Sequence, residues 1–449
     1  GECIAVSTSN DPTGTYSLYF YSFGGTLNDY PKLSTWATAS NSAYLVTYNL
    51  NGGQADICAL DRTKMLAGNS TAAQLCKLPG SNESSYLPGD MDGPSTPPDG
   101  TPGLFITWQN NNPGQLYLRK LTLDFAGSKA TLSSPTTISV ANDNIACFSS
   151  CVPQPGTTQQ LDVLGDRMMY RFAIRHFADH DRAVLTHAVL NGSQVAFRWY
   201  ELYDPAGNVT LSQQGTFAPD ATYRWMSSIA EDQSGDIAVG YSASSTSVYP
   251  AIRFTGRVPS DPTGSLESEA SIQEGAGSQT GGSYAYRWGD YTAMQVDPGD
   301  DCTFWYVNEY EKATGYENWT THIGSFAFPS CGGQGGGPVM SLNPTSLKWG
   351  KILVGTTAAG KKKVTATNTG TSTLTISNIA TTGDFALVAV KQTKKVTPCV
   401  NGTNLAPGAS CLIKVSFTPT QTGTRTGSVN FTDNAPNSPQ SVGLTGTGK

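Results

Sequence analysis

Three of the four histidines of this chain cluster, in the run Arg175-His176-Phe177-Ala178-Asp179-His180-Asp181-Arg182 and then at His187. A histidine beside a carboxylate can serve as a general base. Asp179, His180 and His187 are therefore the candidate catalytic residues, for proton abstraction or water activation at a sugar. The plainer alternative is an Asp/His-rich turn whose side chains satisfy main-chain groups, and the residue types favour it. No metal is expected, because His180 and His187 stand seven apart and no EF-hand loop occurs. The pattern Tyr-Arg-aromatic occurs three times and sets Arg171, Arg224 and Arg287 at like positions. Guanidiniums converging there would hold a carboxylate sugar bidentately, with Asp290 nearby as a further ligand-binding candidate. The favoured alternative pairs each arginine with an acid such as Asp232, Asp290 or Asp297. Glu309-Tyr310 and Asp290 also match, in type, the nucleophile pair and acid of a sialidase. The sequence lacks G-x-S-x-G, P-loop, dinucleotide-binding and H-E-x-x-H patterns, so no cofactor is expected.

These residues lie on strand-like runs separated by turn signals. Tyr223-Arg224-Trp225 with a turn at Gly235 matches Tyr286-Arg287-Trp288 with a turn at Gly299, the tryptophans being 63 residues apart. Tyr170-Arg171-Phe172, with the turn at Ala178-Asp179-His180-Asp181, is a weaker third copy. Four short strands per unit, at a spacing of about 50–63 residues, are the signature of a β-propeller. Ser9-Asn10-Asp11-Pro12-Thr13-Gly14 also echoes Ser260-Asp261-Pro262-Thr263-Gly264. The later turn joins the third and fourth strands of a unit, residues 251–257 and 265–272. By analogy residues 2–8 and 15–23 form the second half of another. The expectation is a half blade plus five blades starting near 29, 87, 161, 221 and 285, the last lacking its fourth strand. An open ring exposes sheet edges, so the missing strands are expected from an upstream segment or a neighbouring chain.

Length and composition agree with such an architecture. The 449 residues suggest two or more domains. With 48 Gly, 26 Pro and 14% charged residues, the chain is turn-rich and mostly β, unlike a bundle or a parallel α/β enzyme. At 38% apolar and 10% aromatic it can build a large core. No apolar run is long enough to span a membrane as a helix. Residues 332–338 read Gly-Gly-Gln-Gly-Gly-Gly-Pro, a flexible linker. They divide a propeller over 1–331 from a second domain over 339–449. Residues 339–449 hold ten Lys and Arg425 against Asp384 and Asp433, a net +9, while residues 1–338 carry a net −15. Lys361, Lys362, Lys363 and Lys391, Lys394, Lys395 form the basic clusters. Opposite charge on two bodies serves solubility, or it drives head-to-tail association. No zinc spacing, helix-turn-helix pattern or basic stripe points to nucleic acid.

Nine cysteines without C-x-x-C pairs suggest disulfides and an oxidising compartment. Local spacing proposes Cys399–Cys411, Cys147–Cys151, Cys302–Cys331 and Cys58–Cys76. Cys3 is left over, either as a buried free thiol or with a partner upstream of residue 1.

After the linker, about seven short alternating strands indicate an Ig-like β-sandwich. The elements Asn343-Pro344, Ser346-Leu347, Gly350, Val354-Gly355, Asn368-Thr369-Gly370, Gly383-Asp384-Phe385, Cys399, Cys411, Phe417, Pro419, Gly423, Arg425-Thr426-Gly427 and Leu444-Thr445-Gly446-Thr447-Gly448 resemble the ASH/Hydin-type Ig-like domains of secreted bacterial proteins. Trp349 stands where Phe is usual. The resemblance covers nearly all of 339–449 and implies a spacer or interaction module without catalytic residues. Cys3, Asp11-Pro12-Thr13-Gly14, Asp29-Tyr30-Pro31-Lys32, Asp61-Arg62, Leu164-Gly165-Asp166-Arg167, Ala218-Pro219-Asp220, Trp288-Gly289-Asp290 and Asp301-Cys302 resemble a group of bacterial extracellular propeller proteins, loosely labelled sialidase-like BNR repeats. That resemblance implies further strands upstream and carries no activity with it.

The expected fold is thus all-β, a propeller of six or seven blades with the first incomplete, followed by an Ig-like sandwich. The leading functional expectation is a secreted or cell-surface, non-enzymatic recognition or structural protein whose copies assemble head to tail, into filaments in its strongest form. The alternative is a glycan-active enzyme, hydrolase or lyase on anionic sugars, or a carbohydrate-binding propeller without turnover. The partners considered are a second copy of the chain and an extracellular glycan.

Overall fold

The computed structural model describes residues 1–109, 111–147, 150–282, 286–290, 292–316, 318–332, 338–370, 373–393, 396–435 and 438–449. The chain forms two compact units, Gly1–Phe328 and Pro329–Lys449. The stretch 333–337, on which the linker expectation falls, and Lys394 and Lys395 lie outside the described residues.

The first unit opens with a hairpin, β1 (Glu2–Ser7) and β2 (Tyr16–Tyr21). Sheet 1 follows as a meander of β3 (Asn28–Trp36), β4 (Ala43–Leu50), β5 (Ala55–Asp61) and β6 (Gln74–Lys77), with a short helix α1 (Arg62–Leu66) between the last two. Asp61 caps that helix by accepting from the Lys64 amide. Sheet 2 comprises β7 (Leu87–Asp92), β8 (Gly103–Trp108), β9 (Gln115–Asp124), β10 (Lys129–Leu132) and β11 (Thr136–Ser139). The last two pair successively along β9. Sheet 3 holds β12 (Met168–His176), β13 (Asp181–Asn191), β14 (Gln194–Tyr203) and β15 (Thr210–Phe217), and sheet 4 holds β16 (Tyr223–Glu231), β17 (Ile237–Ser244), β18 (Ala251–Arg257) and β19 (Ala270–Gln273). Sheet 5 has three strands, β20 (Ala293–Val296), β21 (Phe304–Glu311) and β22 (Trp319–Phe326).

The first strands stand next to one another in series: β3 contacts β7, β7 contacts β12, β12 contacts β16, and β16 contacts β20. Between sheets 2 and 3 the approach becomes a parallel pairing, with Phe172 opposite Gly89 through Arg175 opposite Asp92. Gly89 admits it, because a Cβ there would meet Ile174 at 2.7 Å. Sheet faces interleave through large apolar side chains, among them the fully buried Trp36, Trp108, Trp199, Trp225 and Trp288. A bulge recurs near the start of the first strand, between Asp29 and Lys32, Met169 and Ala173, and Trp225 and Ser228. Tyr30 and Met226 take positive φ there, and Gly289 holds the corresponding place in sheet 5 with φ 57°. Bulges of this kind re-aim side chains at the end of a strand.

The second unit packs two sheets around one core. One runs β23 (Met340–Asn343), β25 (Lys362–Asn368), β29 (Ser410–Phe417), β27 (Phe385–Val388). The other runs β24 (Ser346–Ile352), β31 (Gln440–Gly448), β30 (Gly423–Asp433), β26 (Leu374–Thr381), β28 (Thr403–Leu405). Trp349, Phe385 and Phe417 stack in the middle, with Phe385 and Phe417 centroids 4.9 Å apart, among Val364, Val415, Ile376 and Phe431. No helix among the described residues is long and apolar enough to cross a membrane.

Candidate functional site

The structure separates the three candidate catalytic residues. Asp179 and His180 form a pair, Oδ1 to Nδ1 at 2.6 Å, in the exposed turn between β12 and β13. His180 is stacked there between Phe177 and Tyr203, and His176 pairs with Asp181 at 2.6 Å. His187 lies seven residues on along β13, about 20 Å at the rise of a strand. It is fully buried, with Nε2 3.1 Å from Asp143 and 2.9 Å from the Tyr200 hydroxyl, its pKa lowered by burial with Asp143 opposing. Asp143 and Tyr200 engage His187 inside the sheet, and the exposed turn engages His176 and His180.

The three like-placed arginines do not converge on a shared ligand. Arg171 is buried, bonded to Asp90 at 3.0 Å and to both oxygens of Asp92 at 2.9 and 2.6 Å, and reaches the Met294 carbonyl at 3.3 Å. It ties sheets 2, 3 and 5 together. Arg224 is also buried, bidentate on Glu269 at 2.8 Å and paired with Asp220 at 2.9 Å. Arg287 alone of the three stays open, its side chain 52% exposed and hydrogen-bonded to Asp290. The partners of Arg171 and Arg224 are thus Asp90, Asp92, Asp220 and Glu269 in place of the expected Asp232 and Asp297, while the Arg287–Asp290 pair is present.

Arg287 and Asp290 border a groove of about 370 Å³ on the open face of sheet 5. Strand parity builds this face. In β21, Phe304, Tyr306 and Asn308 are buried, while Trp305, Val307 and Glu309 alternate with them and point the other way. Across from Val307 and Glu309 stand Ile323 and Thr321 of β22, and Trp319 at the start of that strand lies 47% exposed. Trp288 anchors the rim by donating its Nε1 to the Ser242 hydroxyl at 3.0 Å. The Gly289 amide donates to Glu309 Oε1 at 2.7 Å. A side chain at Gly289 would have φ 57° and a Cβ 3.2 Å from Met226, so glycine makes this approach without the backbone strain that Tyr30 and Met226 carry at the like positions.

The carboxyls of the groove hold their protons more tightly than ordinary ones. Burial pushes the Glu309 carboxyl up to about 7, against the Gly289 hydrogen bond and helped by Asp290. Burial also raises Asp290, against Arg287, and its Oδ1 is buried without a hydrogen-bond partner among the described residues. The field of Asp290 reaches Lys32 at the bulge of β3, whose ammonium burial holds down at about 7 with Arg167 adding to the effect. Lys32 sits over the Tyr30 ring at 3.6 Å and Arg167 over the same ring at 4.8 Å. Two carboxyls, a guanidinium and an exposed indole in one groove can donate and accept hydrogen bonds and stack on an apolar ring face. Trp319 was not singled out from the sequence, and Lys32 and Arg167 stood there only in motifs of resemblance, with no role at a site. The motif Trp288-Gly289-Asp290 was the available signal, since its glycine marks the turn that brings Glu309 under the rim.

Disulfides join Cys58 to Cys76, Cys147 to Cys151 and Cys399 to Cys411, and Cys302 and Cys331 are also disulfide-bonded. Cys3 is free and exposed, which corrects the expectation of a buried thiol: it sits on the outward side of a two-stranded sheet.

Residues 337–449 match the family model described as Cep192 domain 4. Among curated proteins no relative matches. Solved structures similar to the chain include the ASH/PapD-like domain 7 of human CEP192, 11% identical over 24% of this chain and 84% of that one, with a TM-score of 0.18. They also include the Penicillium chrysogenum α-L-arabinanase complexed with arabinobiose, 9% identical over 68% of this chain and 94% of that one, with a TM-score of 0.33. A third is the Fusarium graminearum α-L-arabinofuranosidase Arb93A, 10% identical over 68% of this chain and 98% of that one, with a TM-score of 0.31.

Proposed function

We propose that this chain is a secreted or cell-surface recognition protein that binds an extracellular glycan in the groove of Arg287, Asp290, Glu309 and Trp319. Residues 1–331 would act as a six-bladed propeller whose first blade is represented by the β1–β2 hairpin, and residues 339–449 as an Ig-like docking or spacer module. The observation that carries the reading is the meeting of an exposed indole, a half-exposed guanidinium and two carboxyls in one groove. Polyhydroxylated ligands are held by that mixture of ring stacking and directed hydrogen bonds. Oxidised cysteine pairs support an extracytoplasmic setting. The test is a glycan panel, neutral and uronic, read by calorimetry. A glycan bound by the wild type loses affinity at least tenfold with Trp319→Ala or Arg287→Ala, and no binder on the panel overturns the reading.

A second reading, glycoside hydrolysis in the same groove, is favoured by Glu309. A carboxyl pushed up to about 7 still carries its proton in part of the molecules at neutrality and can give it to a leaving glycosidic oxygen. Product release from a bound oligosaccharide, abolished by Glu309→Gln while binding persists, would establish this reading. Binding without turnover leaves recognition as the function.

A further inference from the structure

The sandwich of the second unit opens along one edge. β27 ends the first sheet and pairs with β29 alone among the described residues, from Phe385 opposite Phe417 to Val388 opposite Lys414. In the facing sheet, β28 covers β26 only from Leu374 to Ile376. Beyond that stretch the Ile379 amide donates to the Asn401 side chain at 2.9 Å. Between the two edges lies a groove of about 400 Å³, lined by Ile379, Leu387, Cys399, Val400 and Ile413. Its apolar surface reaches the mouth, where Leu387 is 41% and Val400 56% exposed. One wall is held firmly: the Cys399 amide donates to the Leu412 carbonyl at 3.0 Å, and Cys399 is bonded to Cys411.

Charge at this edge has one sign. The sequence holds no Asp or Glu between Asp384 and Asp433, and Asp384 is taken by Arg425 at 2.6 Å and by the Thr420 amide at 3.0 Å. On the outer face Val388 stands opposite Lys414, and Lys414 opposite Lys363. Like charges directly opposed weaken a sheet. Lys363, Lys414 and the exposed Lys391 form no ion pair among the described residues.

We infer that this edge binds an extended, acidic segment of a partner protein, added as a strand beside β27. The inference takes the docking role proposed for residues 339–449 and names its ligand. Strand parity sets the chemistry. Alternate side chains of the added strand turn between the sheets beside Leu387 and must be apolar to fill the groove. The others turn outward beside Val388. Two strand spacings, about 10 Å, separate them from Lys414, a distance that a glutamate and a lysine side chain span together. A carboxylate there relieves the repulsion between Lys363 and Lys414. Main-chain hydrogen bonds to β27 supply affinity that does not depend on sequence.

The test is calorimetry of the whole chain at 50 mM NaCl with a capped octapeptide of alternating valine and glutamate. This peptide should bind at least tenfold more tightly than octaglutamate or an alternating valine–lysine peptide, and more weakly at 0.5 M NaCl. Of two analogues, N-methylated at every valine or at every glutamate, one should lose binding and the other keep it, because alternate amides of an added strand face β27. Val400→Asp, at the exposed mouth, and Lys414→Glu should each cost at least tenfold in affinity without lowering the melting temperature. A valine–glutamate peptide that fails to bind would overturn the proposal. So would binding that Val400→Asp leaves intact, or analogues that both keep their affinity. Octaglutamate binding as tightly would make the edge a plain polyanion site and overturn it as well. None of these outcomes bears on the groove of Arg287 and Trp319, which the glycan panel tests separately.

Discussion

Glu309, a residue of the proposed glycan groove, carries a stability cost. Its folded pKa of about 7 lies above the ordinary carboxyl value because burial penalises the charge. The folded state therefore holds its proton more tightly than the unfolded chain. The stabilisation is complete below the unfolded pKa and is lost as pH rises through 7. Glu311 and Asp232, also raised to about 7, and Glu231, raised to about 8, act in the same sense. Lys32 acts in another window: depressed to about 7, it makes stability rise with pH above that value. Thermal melts should show the protein losing stability between pH 5 and 8. Glu309→Gln should make that slope shallower and raise the melting temperature at pH 8; a variant that tracks the wild type at every pH would remove Glu309 from this account. The arginines separate stability from binding. Arg171→Ala leaves Asp90 and Asp92 as uncompensated charges beside a buried site and should cost about 3–5 kcal/mol in urea unfolding. Arg287→Ala, in a half-exposed pair, should cost under about 1 kcal/mol and act on ligand affinity instead.

At the scale of elements, the outermost strand of sheet 1 is short and held by a staple. β6 has four residues, and Cys76 within it sits opposite Cys58 of β5, to which it is bonded. The bridge closes a loop of 18 residues, for which chain entropy gives about 3 kcal/mol. Cys58→Ser with Cys76→Ser should lower the unfolding free energy by about that amount, with the loss showing first as hydrogen exchange in β6; unchanged stability would mean that cross-strand packing alone retains the strand. Local patterns announced elements of this kind. The echo of Asp11-Pro12-Thr13-Gly14 in Asp261-Pro262-Thr263-Gly264 marked the connections of both β1–β2 and β18–β19, because each is closed by an Asp side chain accepting from the main chain. The match of Trp225-Met226 to Trp288-Gly289 marked one positive-φ turn used twice. What stayed hidden depends on distant residues. The acids that neutralise Arg171 lie 79 and 81 residues away, and the parallel pairing of β7 with β12 has no local signature. The sequence run His176–His187 suggested one site, yet the strand that follows His180 carries His187 into the interior of the sheet.

Across the whole molecule, charge is divided as sharply as structure. Each unit has its own core, so the partition of a net −15 before residue 339 and +9 after it places opposite signs on separate bodies. Lys361, Lys362 and Lys363 are all exposed at the start of β25, and surface charges of this kind attract over a Debye length, about 10 Å at 0.1 M salt and about 30 Å at 0.01 M. Association of one copy's acidic unit with the next copy's basic unit is heterologous, so it grows without closing unless its rotation returns to the start. Sedimentation velocity of the whole chain at 10 mM salt should show a mean sedimentation coefficient that climbs with protein concentration. The climb should vanish at 0.3 M, and also when Lys361, Lys362 and Lys363 are changed to Glu. A coefficient independent of concentration at low salt would mean that the charge division serves solubility alone. Association that survives the three lysine changes would place the attraction elsewhere on the basic unit.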